Sequence, residues 1–132
     1  MEEQVESDPR VAALEDKSLM VLDDDAPFRA RLARALGQRG FDVASLGSVA
    51  EAKEYLKKQA PAFAVVDLRL EDGSGLDVVE ALQRAREDTH AVILTGYGAI
   101  STAVAAVKAG AIDYLPKPAD IDEVCRLLSA VK

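Results

Sequence analysis

Four short apolar runs, each ending on a polar group, constrain this chain more than any other feature. Phe63-Ala64-Val65-Val66 runs into Asp67, and Leu19-Met20-Val21-Leu22 runs into Asp23, Asp24 and Asp25. Ala91-Val92-Ile93-Leu94 runs into Thr95, and Ile112-Asp113-Tyr114-Leu115 leads to Lys117. Short β-branched runs without polar alternation read as strands buried on both faces, the habit of parallel sheets. Ligands of open α/β sheets bind beyond the carboxyl ends of the strands. One edge of one sheet therefore collects three or four carboxylates, a hydroxyl and an ammonium.

Segments with helical spacing separate these runs. Pro27 suits a first helical turn, with Phe28, Leu32 and Leu36 as the buried stripe and Gly40 placed as a left-handed cap. A second strand follows over Phe41 to Ser45. Ser48 with Glu51 has the spacing of a capping box, and Val49, Ala52 and Leu56 form the inner face behind it. Gly73 and Gly75 loosen the loop Arg69 to Gly75, after which Leu76, Val79 and Leu82 point inward. Gly96-Tyr97-Gly98 turns into a helix over Ala99 to Ala109 with Ile100, Val104 and Val107 as its stripe. The last helix starts near Asp120 and carries Ile121, Val124, Leu128 and Val131 on one side. Five strand-then-helix units predict a mostly parallel sheet covered on both faces.

Residues 1–17, rich in Glu and Asp, predict a mobile or weakly helical lead-in, and residues 18–132 the domain proper. The net charge of −7 argues against this segment gripping a phosphate backbone by itself. No apolar stretch approaches the roughly 20 residues of a membrane span, and the acidic start is unlike a signal peptide. A cytoplasmic location is expected. The single cysteine, Cys125, reads as a small, half-buried apolar residue of the last helix.

Each polar strand end has an ordinary explanation alone, as a cap, a turn or an exposed charge. Their joint delivery to one edge does not. Carboxylates about 5 Å apart in a partly screened site repel by roughly 3 kcal/mol per pair, so several together call for cations. Mg²⁺ takes one or two carboxylates, keeps waters and leaves room for phosphate oxygens. That suits Asp24 and Asp67 as direct ligands, with Asp23 acting through water. A phosphoryl group would then meet the metal, the Lys117 ammonium and the Thr95 hydroxyl, and positioning plus neutralisation is most of what phosphoryl transfer asks of a protein.

The motifs VLDDD, VVDLRLEDGSG, LTGYG and YLPKP, in this order, resemble the receiver domain of two-component response regulators. The resemblance covers about residues 18 to 132. VVDLRLEDGSGLDVVE and LTGYGAISTAVAAVKAGAIDYL are most similar to the RegA/PrrA/ActR-type redox response regulators. The resemblance implies a flavodoxin-like (βα)5 fold with strand order 2-1-3-4-5. It further implies that Asp67 is the phosphoacceptor for a sensor histidine kinase, and that Asp24 and the Arg69 backbone carbonyl complete the Mg²⁺ shell. Lys117 would hold a phosphoryl oxygen, before a cis Lys117–Pro118 peptide. Thr95 and Tyr114 would be the switch pair, with homodimerisation on phosphorylation. Such a domain is a signalling module that catalyses its own phosphorylation and dephosphorylation. Regulators of this type continue into a helix-turn-helix DNA-binding domain, and this sequence stops before one. Glu71 stands four residues after Asp67, where many receivers have proline, which puts the course of the Arg69 to Gly75 loop in question.

Two other classes use similar residues. A haloacid-dehalogenase-like phosphatase would read Asp-x-Asp in Asp23-Asp24-Asp25, but it would need acids after the lysine, where Asp120 and Asp122 are available. A phosphorylation-independent interaction module would leave Asp67 idle. Flavin binding is disfavoured by the acidic loop after the first strand, where a phosphate cradle needs bare N–H groups.

Overall fold

The computed structural model describes residues 8–96, 104, 105, 107, 108, 110, 113–117 and 119–130. Five strands form one parallel sheet: β1 (Ser18–Leu22), β2 (Asp42–Leu46), β3 (Phe63–Asp67), β6 (His90–Thr95) and β7 (Asp113–Pro116), in the order β2-β1-β3-β6-β7. Between β3 and β6 a separate antiparallel hairpin pairs β4 (Arg69–Leu70) with β5 (Gly73–Ser74). With that hairpin set aside, the sheet has the expected flavodoxin-like order 2-1-3-4-5.

The unbroken apolar runs follow from burial on both faces. Leu19, Val21, Phe63, Val65, Val92 and Leu94 point to one side, under α2 (Ala26–Gln38) and α5 (Ile121–Ser129). Met20, Leu22, Ala64, Val66, Ala91 and Ile93 point to the other, under α3 (Val49–Leu56) and α4 (Gly75–Ala85). Alternate residues of a strand face opposite ways, so a strand covered twice needs apolar residues at every position.

Helix ends obey local chemistry. Asp25 accepts from the Phe28 N–H and caps α2. That helix stops at Gly40, whose φ of +120° allows the Phe41 N–H to reach the Leu36 carbonyl and the Gly40 N–H that of Gly37. Ser48 caps α3 through the Glu51 N–H, but Glu51 Oε1 accepts from the N–H of Gly47, so the reciprocal bond of the box has moved one residue outward.

Several expectations shift. The lead-in contributes more to the core than its composition suggests: α1 (Pro9–Ala12), capped by Asp8, buries Val11 completely beside Leu32, Leu36 and Leu128. Val78 is fully buried in α4 whereas Leu76 is only partly so, a register difference of the kind that three-residue spacing does not resolve. Gly75 is required by space: a Cβ there would lie 2.3 Å from the Asp67 carbonyl oxygen. Val104, expected on an inward stripe, is 41% exposed, because residues 104, 105, 107 and 108 are helical but turn this position to solvent. Cys125 is fully buried, and its thiol donates to Asp8 at 3.3 Å. The Tyr97-Gly98 part of the glycine turn, Ile100, the Pro118 peptide geometry and Val131 lie outside the described residues.

Candidate functional site

The register of the sheet brings the polar strand ends together. Asp67 is the last residue of β3 and pairs with Leu94, one residue before Thr95. Leu22 pairs with Val66, so Asp23 and Asp24 follow directly beside Asp67. Thr95 pairs with Pro116, which places Lys117 just beyond it, and the Lys117 N–H donates to the Thr95 carbonyl at 2.8 Å. Parallel pairing in register carries four separate strand ends to one place.

Asp23, Asp24 and Asp67 each offer a carboxylate oxygen within 4.8 Å of the others. Asp23 is fully buried and Asp67 is 5% exposed, while Asp24 opens toward solvent. Lys117 Nζ lies 3.0 Å from Asp23 Oδ2 and 3.5 Å from Asp67 Oδ2, and 4.9 Å above the Phe28 ring. The other Asp23 oxygen accepts the Asp25 N–H at 2.9 Å. Asp67 Oδ1 has the Arg69 N–H at 3.3 Å. Thr95 is buried, and among the described residues its hydroxyl makes one long contact, 3.5 Å, to the Leu115 carbonyl. Tyr114 is half-buried and packs against the α3–α4 side of the core.

The charges do not balance. Burial, then repulsion from Asp23, pushes the Asp67 carboxyl up to about 6, although Lys117 and the Arg69 N–H oppose the rise. Burial would lower the Lys117 ammonium, but Asp23 and Asp67 outweigh it and its pKa is raised. One lysine for three carboxylates leaves a net negative, oxygen-rich site. Such a donor set fits a hard divalent cation. Residues that spacing alone did not single out also build it. Arg29 Nη1 donates to the Asp23 carbonyl at 2.7 Å and its Nε to Ser45 Oγ at 3.0 Å, which steadies the acid loop. Gly47 leaves room for that guanidinium, since a Cβ there would sit 2.7 Å from Arg29 Nη1. An arginine in the first turns of a helix carries no sequence mark of such a role.

Asp120 and Asp122 stand apart from this cluster. Asp120 is the N-cap position of α5, and Asp122 pairs with Arg39 at 2.6 Å. Of the acids a dehalogenase-like phosphatase would draw on after the lysine, Asp122 is engaged elsewhere, and neither joins the acid cluster among the described residues.

A doubly wound parallel sheet with an acid triad, a hydroxyl and a lysine at its carboxyl edge defines the receiver class, and a family model for the response regulator receiver domain matches residues 19–129. The chain belongs to that family. Within it, the sequence is 60% identical over 115 residues to the photosynthetic apparatus regulatory protein RegA of Cereibacter sphaeroides, covering 87% of this chain and 62% of that protein. It is 57% identical over 113 residues to the acid tolerance regulatory protein ActR of Rhizobium meliloti, covering 86% of this chain and 58% of that one. The chain thus spans about three fifths of the length of these relatives. A solved response regulator protein from Burkholderia pseudomallei, with a phosphorylated aspartic acid, calcium ion and citrate, superposes with a TM-score of 0.80 at 39% identity, over 86% of this chain and 66% of that one. Among the described residues no helix is long and apolar enough to cross a membrane.

Proposed function

We propose that Asp67 receives a phosphoryl group from the phosphohistidine of a sensor histidine kinase, with Mg²⁺ as the metal, and that this switches an output domain controlling transcription. The observation that carries the reading is the burial of Asp67 between Asp23, Asp24 and Lys117 at the carboxyl edge of the sheet. A carboxylate oxygen of Asp67 attacks phosphorus, the P–N bond breaks, and the imidazole leaves with the electron pair and takes up a proton. Bound Mg²⁺ would neutralise charge on the phosphoryl oxygens. Asp24, Asp67 and the Arg69 carbonyl would hold it, and Asp23 would reach it through water. Lys117, held by Asp23, is positioned to exchange its contact with Asp67 for one to a phosphoryl oxygen. The same site would promote hydrolysis of the acyl phosphate.

Among the described residues the Thr95 hydroxyl has one long contact, to the Leu115 carbonyl, and it would turn toward the new group. The phosphoryl adds about −1.5 to −2 charges and three strong acceptors, so a Thr95 hydroxyl bond supplies the differential interaction that a population shift requires. Tyr114 would then move further inward, altering the outer surface around β7 and favouring homodimerisation. Any DNA contact would be made by the output domain, in keeping with the greater length of the relatives.

The test is intact-mass measurement after acetyl phosphate. One phosphoryl mass is expected with Mg²⁺, little without it, and none in Asp67→Ala. Full labelling of that variant would sink the assignment. Turnover of generic phosphomonoesters by the wild type would point to the phosphatase instead.

A further inference from the structure

We propose that the backbone N–H of Glu71 is a positioning group for the metal site, fixing the Asp24 carboxylate and coupling it through the β4–β5 hairpin to the start of α3. The inference rests on the reading of Asp24 as a metal ligand given above. Glu71 N donates to Asp24 Oδ2 at 2.9 Å, across 47 residues of sequence. Among the described residues it is the one hydrogen-bond donor to that side chain. Asp24 is the open member of the acid triad, with neither the burial that fixes Asp67 nor the lysine that fixes Asp23. A carboxylate open to solvent must be ordered when a cation binds; the Glu71 N–H orders it beforehand, and among the described residues the second oxygen has no donor.

The donor is itself held in place. Glu71 and Asp72 form the two-residue turn between Leu70 and Gly73, which pair across the hairpin. Asp72 turns away from the metal site and accepts from the N–H groups of Val49 and Ala50 at 2.8 and 3.1 Å, which hold its carboxyl below the usual carboxylate range. Gly73 has φ +158°, and a Cβ there would come within 3.2 Å of Val49 Cγ2. Thus the hairpin lies pinned between the acid loop after β1 and the first turn of α3. A proline at position 71 has no N–H and could not make the bond; the glutamate side chain is not needed for it.

The test has a metal-free arm and a metal arm, both on the full chain. In the first, hydrogen exchange of the Glu71 amide is followed by NMR without Mg²⁺; it should be slow in the wild type and fast in Asp24→Ala, with the β1 and β3 amides unchanged. Equal exchange in the two proteins overturns the proposal. In the second, Mg²⁺ affinity is measured by calorimetric titration. Loss of an outer partner of a metal ligand costs roughly 10- to 100-fold in affinity, so Glu71→Pro should bind about tenfold more weakly, at the low end of that range. Glu71→Gln, which keeps the N–H, should bind like the wild type. Glu71→Pro binding as tightly as wild type overturns the proposal, as does equal weakening in Glu71→Gln. If the wild type binds no Mg²⁺ while the Glu71 amide stays protected, the metal reading fails and takes the coupling with it. Should Glu71→Pro not fold, Asp72→Ala replaces it: it keeps the donor but frees the hairpin from α3, and unchanged Mg²⁺ affinity there overturns the coupling.

Discussion

The two ends of the sheet hold similar charged residues in opposite states. At the amino edge, Arg86 donates to Asp16 at 2.9 Å, to Asp88 at 3.0 Å and to the Ala60 carbonyl at 3.1 Å. Asp16 also accepts from the backbone and hydroxyl of Ser18, and these bonds, the Ser18 N–H first and Arg86 next, bring its carboxyl down to about 2. Thr89 donates to the Pro61 carbonyl at 2.8 Å, and Ser18 Oγ accepts the Ala62 N–H at 2.9 Å. At the carboxyl edge, among the described residues, three carboxylates share one lysine, the Thr95 hydroxyl has one long contact, and Asp67 is pushed up to about 6. The amino edge pairs its charges among its own residues, and of its buried polar atoms His90 Nδ1 has no hydrogen-bond partner among the described residues. The other is left short of positive charge, which a divalent cation can supply.

Removing the one lysine should give the largest stability effect. Lys117→Met leaves Asp23 buried and unpaired, and breaking such a pair from one side should destabilise the protein by about 3 kcal/mol at pH 7. Denaturant melts should show part of the loss restored as pH falls below about 6, where the raised Asp67 carboxyl protonates and its repulsion with Asp23 is relieved. A loss independent of pH would mean that packing on Phe28 matters more than charge.

Asp67→Asn should move the other way. The folded pKa of Asp67 is raised, so its ionised form opposes folding; that penalty is absent below about 4, the unfolded value, and complete above about 6. The substitution should therefore stabilise by about 1 to 2 kcal/mol at pH 7 once solvent screening is allowed for, and by nothing at pH 3.5. Equal stability of the two proteins at both pH values would show that the edge is not strained.

Cation binding should relieve the same repulsion. At ten times its dissociation constant Mg²⁺ should stabilise the wild type by about 1.4 kcal/mol, seen as a higher melting temperature. Asp24→Ala should lose most of that gain, and an equal gain in both would place the ion elsewhere.

The smallest effect belongs to the amino edge. Arg86→Ala should cost about 1 kcal/mol and leave Mg²⁺ binding and phosphoryl uptake unchanged. Because the Asp16 pKa is lowered, its contribution is present above about 4 and fades as pH falls toward 2; the variant and wild type should converge in stability there.

Much of the architecture was legible because burial on both faces leaves a direct trace. The runs at Leu19, Phe63, Ala91 and Ile112 could be read as parallel strands, and their ends point to Asp23, Asp24, Asp67, Thr95 and Lys117. Resemblance, not spacing, supplied the strand order, since nothing in five similar strands says which neighbours which. The role of α1 was hidden by the acidic composition of the lead-in around it, because one fully buried apolar residue of the helix, Val11, anchors it. The hairpin at Arg69 to Ser74 was obscured by Gly73 and by strands of two residues each.

Sequence by itself determined which residues could carry charge to the carboxyl edge, since a strand's last residue must emerge where the strand ends. Only the tertiary structure decided how those charges are shared: Lys117 on Asp23 rather than on Asp67 alone, Arg29 on the Asp23 carbonyl, and the Glu71 N–H on Asp24. These contacts span from six to 94 residues. Strand pairing and helix packing bring such groups to within 3 Å or so, a distance that local propensity does not encode.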